Sequence, residues 1–250
     1  MIFFLGVYMF FNGKEIDPSI FKLDDDRLTP QSLEEYAYNI SENLGVKYSS
    51  PDYVDVDGKT IKTVDFLKSK DCFAMYNLID GVIISPECFY EGLMAEQYKM
   101  TKGVIDHETG HVLWPDPSYL SDDNENDDDY ESICTIGSII DDIRIEHRMI
   151  NEFDVDGNNF KLCFEQKNNF LEFDLDRDLQ NIMSGLGFYI LINKIYRNID
   201  ISFLGNRKFP EKLLCLESKF KSIIDSLIAS DDRKVVDAAR EILELLRKDS

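Results

Sequence analysis

The stretch from Gly103 to Leu113, G-V-I-D-H-E-T-G-H-V-L, constrains this chain more than any other. It contains His107, Glu108 and His111 in the order H-E-x-x-H. Side chains four apart stack on one face of an α-helix. Both imidazoles then face one ion, while Glu108 is turned about 100° around the axis. Two imidazoles are half of a zinc site, and a carboxylate beside the open position can take a proton from water as general base. The flanking Val104, Ile105, Val112 and Leu113 give the helix a buried side. The bland alternative is a buried helix whose His residues are satisfied by backbone or carboxylate groups. It leaves Glu108 unexplained, because an unpaired acid beside an apolar face is costly.

The third ligand must come from elsewhere. Trp114-Pro115-Asp116-Pro117 ends the helix, since proline lacks a donor and restricts its predecessor. Trp114 and Pro117 also stand where a metzincin would have Gly and His. The next candidate segment is Tyr130 to Phe153, with an apolar stripe of Ile133, Ile136, Ile140, Ile143 and Met149-Ile150. Set into it is Asp141-Asp142-Ile143-Arg144-Ile145-Glu146-His147, whose buried carboxylates need partners. Asp142 and Glu146 share a face, so one can bind metal while the other accepts the N–H of a ligating His. The bland reading pairs these acids with Arg144 and Arg148. His147 is expected on the helix exterior.

Composition narrows the partners. The 250 residues suffice for one large or two small domains, and the net charge of −21 disfavours direct contact with nucleic acid or an anionic membrane. Five scattered Cys, never in C-x-x-C, point to a reduced, cytoplasmic protein without a disulfide framework. The apolar start M-I-F-F-L-G-V-Y-M-F-F lacks a basic region and a cleavage site and is too short to span a bilayer. It reads as a buried strand, or as an upstream extension if Met9 is the working start, with a secretion signal third.

Thr29, Pro30 and Gly45 punctuate a helix over Gln31 to Leu44. Tyr53 to Phe66, around Asp57-Gly58, reads as a hairpin. Phe73 to Leu78 and Val82 to Ser85, around Asp80-Gly81, read as a second strand-turn-strand. The Val82 to Ser85 strand, if an exposed edge, would hold an extended peptide beside the metal helix. D-V-D-G at Asp55 to Gly58 and Asp154 to Gly157 are turns, not Ca²⁺ loops. The first and last ligand places hold Tyr53 and Val64 in one, Glu152 and Cys163 in the other. Tyr90 to Thr101 is expected helical, Ser121 to Asp129 a solvated acidic loop, and Asp178 to Arg197 a closely packed helix without chemistry of its own. Leu213 to Ala229 and Asp232 to Lys248 form an amphipathic pair, the second capped by Ser230-Asp231-Asp232.

Three of these stretches together resemble a known family: D-G-V-I-I-S-P at Asp80 to Pro86, the H-E-x-x-H segment, and D-D-I-R-I-E at Asp141 to Glu146. They are similar to the zincin-like, gluzincin-type metallopeptidase domains related to the cobaltochelatase subunit of cobalamin biosynthesis and to phage-encoded von Willebrand A-associated proteins. The match covers residues 75 to 150. The resemblance implies Zn²⁺ held by His107, His111 and Asp142, Glu108 as general base, and Glu146 orienting a ligating His, with Asp141 as the alternative ligand. No D-x-S-x-S signature occurs. A von Willebrand A-like partner is therefore either absent or expected beyond Ser250 in a longer protein.

The sequence thus predicts an α+β fold, a mostly helical zincin-like domain with a small N-terminal β-sheet. Residues 1–100 are its N-terminal α/β lobe with the edge strand, 101–155 the metal-binding helices, and 156–250 a C-terminal helical lobe. The expected activity is zinc-dependent hydrolysis of a peptide or protein substrate. A non-catalytic zinc-stabilised scaffold in a larger assembly is the second reading, and an acidic inhibitor that mimics nucleic acid is the third.

Overall fold

The computed structural model describes residues 9–11, 14–23, 29–49, 52–54, 60–62, 75–77, 82–84, 95–120, 129–167, 186–201, 204 and 209–248. The turns expected at Asp57-Gly58 and Asp80-Gly81, the Ser121–Asp128 part of the acidic stretch, and Ser184-Gly185 lie outside these residues. Seven α-helices are described: α1 (Pro30–Leu44), α2 (Ala95–Leu113), α3 (Tyr130–Phe153), α4 (Gly157–Lys167), α5 (Leu186–Arg197), α6 (Glu211–Ile228) and α7 (Val235–Lys248).

The expected α+β class is corrected by this inventory. The described residues are mostly helical, and no small N-terminal β-sheet forms a layer of the fold. Among the described residues, extended pairing is limited to three-residue segments in three separate small ladder sets, four pairings in all. β1 (Met9–Phe11) pairs with β2 (Lys14–Ile16), and β4 (Asp52–Val54) with β5 (Thr60–Lys62). β3 (Lys47–Ser49) and β6 (Met75–Asn77) flank β7 (Val82–Ile84). Segments this short bury too little surface to define a class. The edge strand is corrected too. β7 is central, parallel to β3 and antiparallel to β6, so both sides of its backbone are already paired.

The chain divides into two compact units, Met1–Trp114 with Arg148–Lys167, and Pro115–His147 with Asn168–Ser250. Helix α3 runs unbroken through the boundary between His147 and Arg148.

In the first unit α1 forms as its sequence dictates. Thr29 Oγ1 accepts from the Ser32 N–H at 3.1 Å, Ser32 Oγ accepts from the Thr29 N–H at 2.9 Å, and Gly45 ends the helix at φ +66°. Helix α2 is one continuous rod from Ala95, and α4 lies along it. Cys163 Sγ donates to the Met100 carbonyl at 3.1 Å, and Asn159 sits against Gly103. The end of α2 is tied to the last turns of α3 by aromatic contacts. The Trp114 ring lies 5.9 Å from that of Phe153, with the Arg148 guanidinium 4.5 Å above it. Phe21 stacks on Phe153 from the other direction at 4.4 Å.

In the second unit the apolar stripe of α3 meets α5, α6 and α7. Ile136, Ile140, Phe188, Phe220, Ile224 and Ile242 belong to one buried cluster. Each such side chain contributes about 1.5–3 kcal/mol when removed from water. The start of α7 is capped from far away: the Val235 N–H donates to Asp116 Oδ2 at 2.9 Å and the Val236 N–H to Ser118 Oγ at 3.3 Å. The expected cap by Ser230 to Asp232 gives way to this one, because α7 begins later, at Val235. Among the described residues no helix is long and apolar enough to cross a membrane.

Candidate metal centre

Helix α2 presents three kinds of surface. Asp106, fully buried, accepts a short hydrogen bond from the Tyr36 hydroxyl and another from Lys102 Nζ at 2.7 Å. Lys102 is itself buried and lies 4.8 Å over the Tyr36 ring. The Tyr36 hydroxyl on Asp106 ties α2 to α1 beside His107, and the ion pair within α2 satisfies both buried charges.

A second surface carries His107 and His111, half-buried, with ring centroids 5.0 Å apart and planes at 81°. Glu108 lies between these directions at 7 % exposure. No hydrogen bond or ion pair to Glu108 occurs among the described residues, so nothing there consumes its lone pairs.

Helix α3 supplies the acids. One ligand atom each from His107, His111 and Asp142 lie within 4.8 Å of one another, the one such group among the described residues. Two imidazoles and one carboxylate are a donor set that suits zinc. Of the two adjacent acids Asp142 joins this group. Asp141 is buried instead against Arg144, whose Nε and Nη2 donate to its Oδ1 at 2.8 and 2.6 Å. The bland reading had set Arg144 and Arg148 against Asp142 and Glu146; here Arg144 holds Asp141, and Arg148 pairs with Glu152 at 2.8 Å.

Glu146, one turn beyond Asp142, has a partner that sequence reasoning missed. Arg197 at the end of α5 donates from Nε to Oε2 at 2.7 Å and from Nη2 to Oε1 at 2.6 Å, a fork on both oxygens. Arg197 also holds Asn193 Oδ1 through Nη1, and Asn193 Nδ2 donates to the Tyr189 carbonyl at 2.8 Å. Burial works against the Arg197 charge. The Glu146 carboxylate outweighs it, Asp142 adds to the effect, and the guanidinium pKa is raised. The available signal was polar residues spaced four apart, Tyr189, Asn193 and Arg197, in an otherwise apolar helix.

Tyr119 is a second omission. Its ring packs on Gly137, where an added Cβ would come within 2.7 Å. Burial raises its hydroxyl pKa, helped by Asp141 and Asp142, so it stays a hydrogen-bond donor. His147 takes no part in the group; its ring meets that of Tyr196 edge-on at 5.3 Å, and burial lowers its pKa.

No protein-family model matches the chain, and neither a curated protein nor a solved structure matches it.

Proposed function

We propose that the chain is a zinc-dependent metallopeptidase of the zincin-like kind, with His107, His111 and Asp142 holding the ion and Glu108 as general base. The observation that carries this reading is the convergence of those three ligand atoms from two helices, beside an H-E-x-x-H glutamate with no protein partner among the described residues. When bound, the ion supplies Lewis acidity to a carbonyl and brings the pKa of water toward about 7. Glu108 accepts the proton of the attacking water on a carboxylate oxygen and returns it to the departing amine. The His107 and His111 rings and the Asp142 carboxylate do the holding, with Asp106, tied to Tyr36 of α1, fixing the rotation of α2.

The substrate is a peptide or protein, and the net charge of −21 favours basic residues around the scissile bond over any nucleic acid. No disulfide joins Cys134, Cys163 or Cys215, which suits the cytoplasm. The test is a peptide library incubated with metal-loaded wild type and Glu108→Gln and read by mass spectrometry, with a chelator as control. Cleavage lost in both the variant and the chelated sample supports the peptidase; cleavage that survives both comes from another source. No cleavage from a metal-loaded wild type favours the zinc-stabilised scaffold. One observation already favours that second reading: β7 is paired on both sides and cannot take a substrate strand.

A further inference from the structure

Asp142 and Glu146 share a face of α3, so the proposed ligand has a second carboxylate one helical turn away. A site with three protein ligands keeps an open position for chemistry, whereas a fourth closes it into a structural site. Glu146 is not one of the three residues whose ligand atoms gather, and what holds it away is visible in its hydrogen bonds. Its two oxygens are both engaged by the Arg197 fork, and Arg197 is in turn braced by Asn193. The side chains of Glu146 and Arg197 are only 6 % and 10 % exposed, so little water competes for either.

We propose that Arg197 is a positioning residue of the metal centre, keeping Glu146 from becoming a fourth protein ligand and so preserving the open coordination position. The pairing works in both directions. Glu146 equally keeps the guanidinium from Asp142, with which it would otherwise compete against the ion. The pair is neutral as a unit, so it leaves the charge of two imidazoles and one carboxylate unchanged. Arginine suits the task better than lysine, because a planar fork covers both oxygens and an ammonium covers one.

This inference rests on the metal-centre reading above, and the experiment separates the two. Full-length wild type, Arg197→Met, Arg197→Lys and Arg197→Met/Glu146→Gln are stripped of metal. Each is titrated with Zn²⁺ against a chromophoric chelator and with Co²⁺ by visible absorption, with and without azide. Wild type should take up one ion and its Co²⁺ bands should shift with azide, which enters the open position. Arg197→Met should bind Zn²⁺ at least about tenfold more tightly, within the range over which neighbours of ligands change metal affinity, and lose the azide response. Arg197→Lys should move the same way by less. The double variant, with no free carboxylate, should return to wild-type affinity and response. If Arg197→Met fails to fold by circular dichroism, Arg197→Lys decides. Unchanged or weaker affinity with a full azide response in the folded variants overturns the role of Arg197. A wild type that takes up neither ion overturns the metal centre, and this inference with it.

Discussion

Gly103 on α2 and Asn159 on α4 approach so closely that a Cβ on the glycine would stand 2.7 Å from the Asn159 carbonyl oxygen. The obstacle is backbone, which cannot rotate aside. Gly103→Ala should therefore push α4 off α2 and cost about 1–3 kcal/mol, the usual penalty for overpacking. Because His107 lies one turn further along the same face, metal affinity should fall as well. Chemical denaturation of the metal-free protein, followed by metal titration, measures both.

The two adjacent acids of α3 should respond differently. Asp142→Ala should lower metal affinity sharply, as should His107→Ala. Asp141→Ala should leave metal affinity near wild type while destabilising the fold, because it removes the carboxylate on which two nitrogens of the buried Arg144 converge. Equal losses of metal at both positions would refute the assignment of Asp142.

The buried pair of Asp106 and Lys102 gives a stability test that does not involve an ion. Asp106→Ala leaves Lys102, 4 % exposed, without its carboxylate and should cost about 3–5 kcal/mol. The double change Lys102→Met/Asp106→Leu should recover most of that loss, since apolar replacement of a buried pair is often neutral. Urea denaturation of the three metal-free proteins is the measurement. A double variant as weak as the single one would show that Tyr36, not the ion pair, sets the stability.

Asp116 predicts a pH dependence. Burial works to raise its pKa, but hydrogen bonds from Ser118 and from the Val235 backbone outweigh burial, and the net shift is downward. A carboxyl whose folded pKa is depressed adds stability above its unfolded value and loses it as pH falls through the folded one. Asp116→Ala should therefore cost about 0.5–2 kcal/mol near neutral pH, as the loss of a helix cap does. The gap to wild type should close in acid, below the ordinary carboxylate range. A gap that stays constant from pH 7 to pH 2 would mean that the charge of Asp116 is irrelevant to the cap.

What the sequence determined by itself was local. H-E-x-x-H spacing puts His107 and His111 on one face wherever the helix lies, and the Thr29, Pro30 and Gly45 signals acted within a single turn of α1. The stripe Ile133, Ile136, Ile140 and Ile143 was legible for the same reason: its period is that of the helix, and all four residues are buried. The tertiary structure decided whatever depended on partners distant in the chain. Asp141 and Asp142 are adjacent and chemically identical, and only packing turned one toward Arg144 and the other toward the imidazoles. Arg197 reached Glu146 from 51 residues away, and Asp116 capped α7 across 119. Strand signals around Val82 carried a two-residue period but no information about neighbours, so the expected edge became the centre of its ladder. Helical period and end signals are properties of a few successive residues. The choice of partner for a buried charge is a property of the whole packed chain, because it is made by whichever opposite charge the core brings within hydrogen-bonding distance.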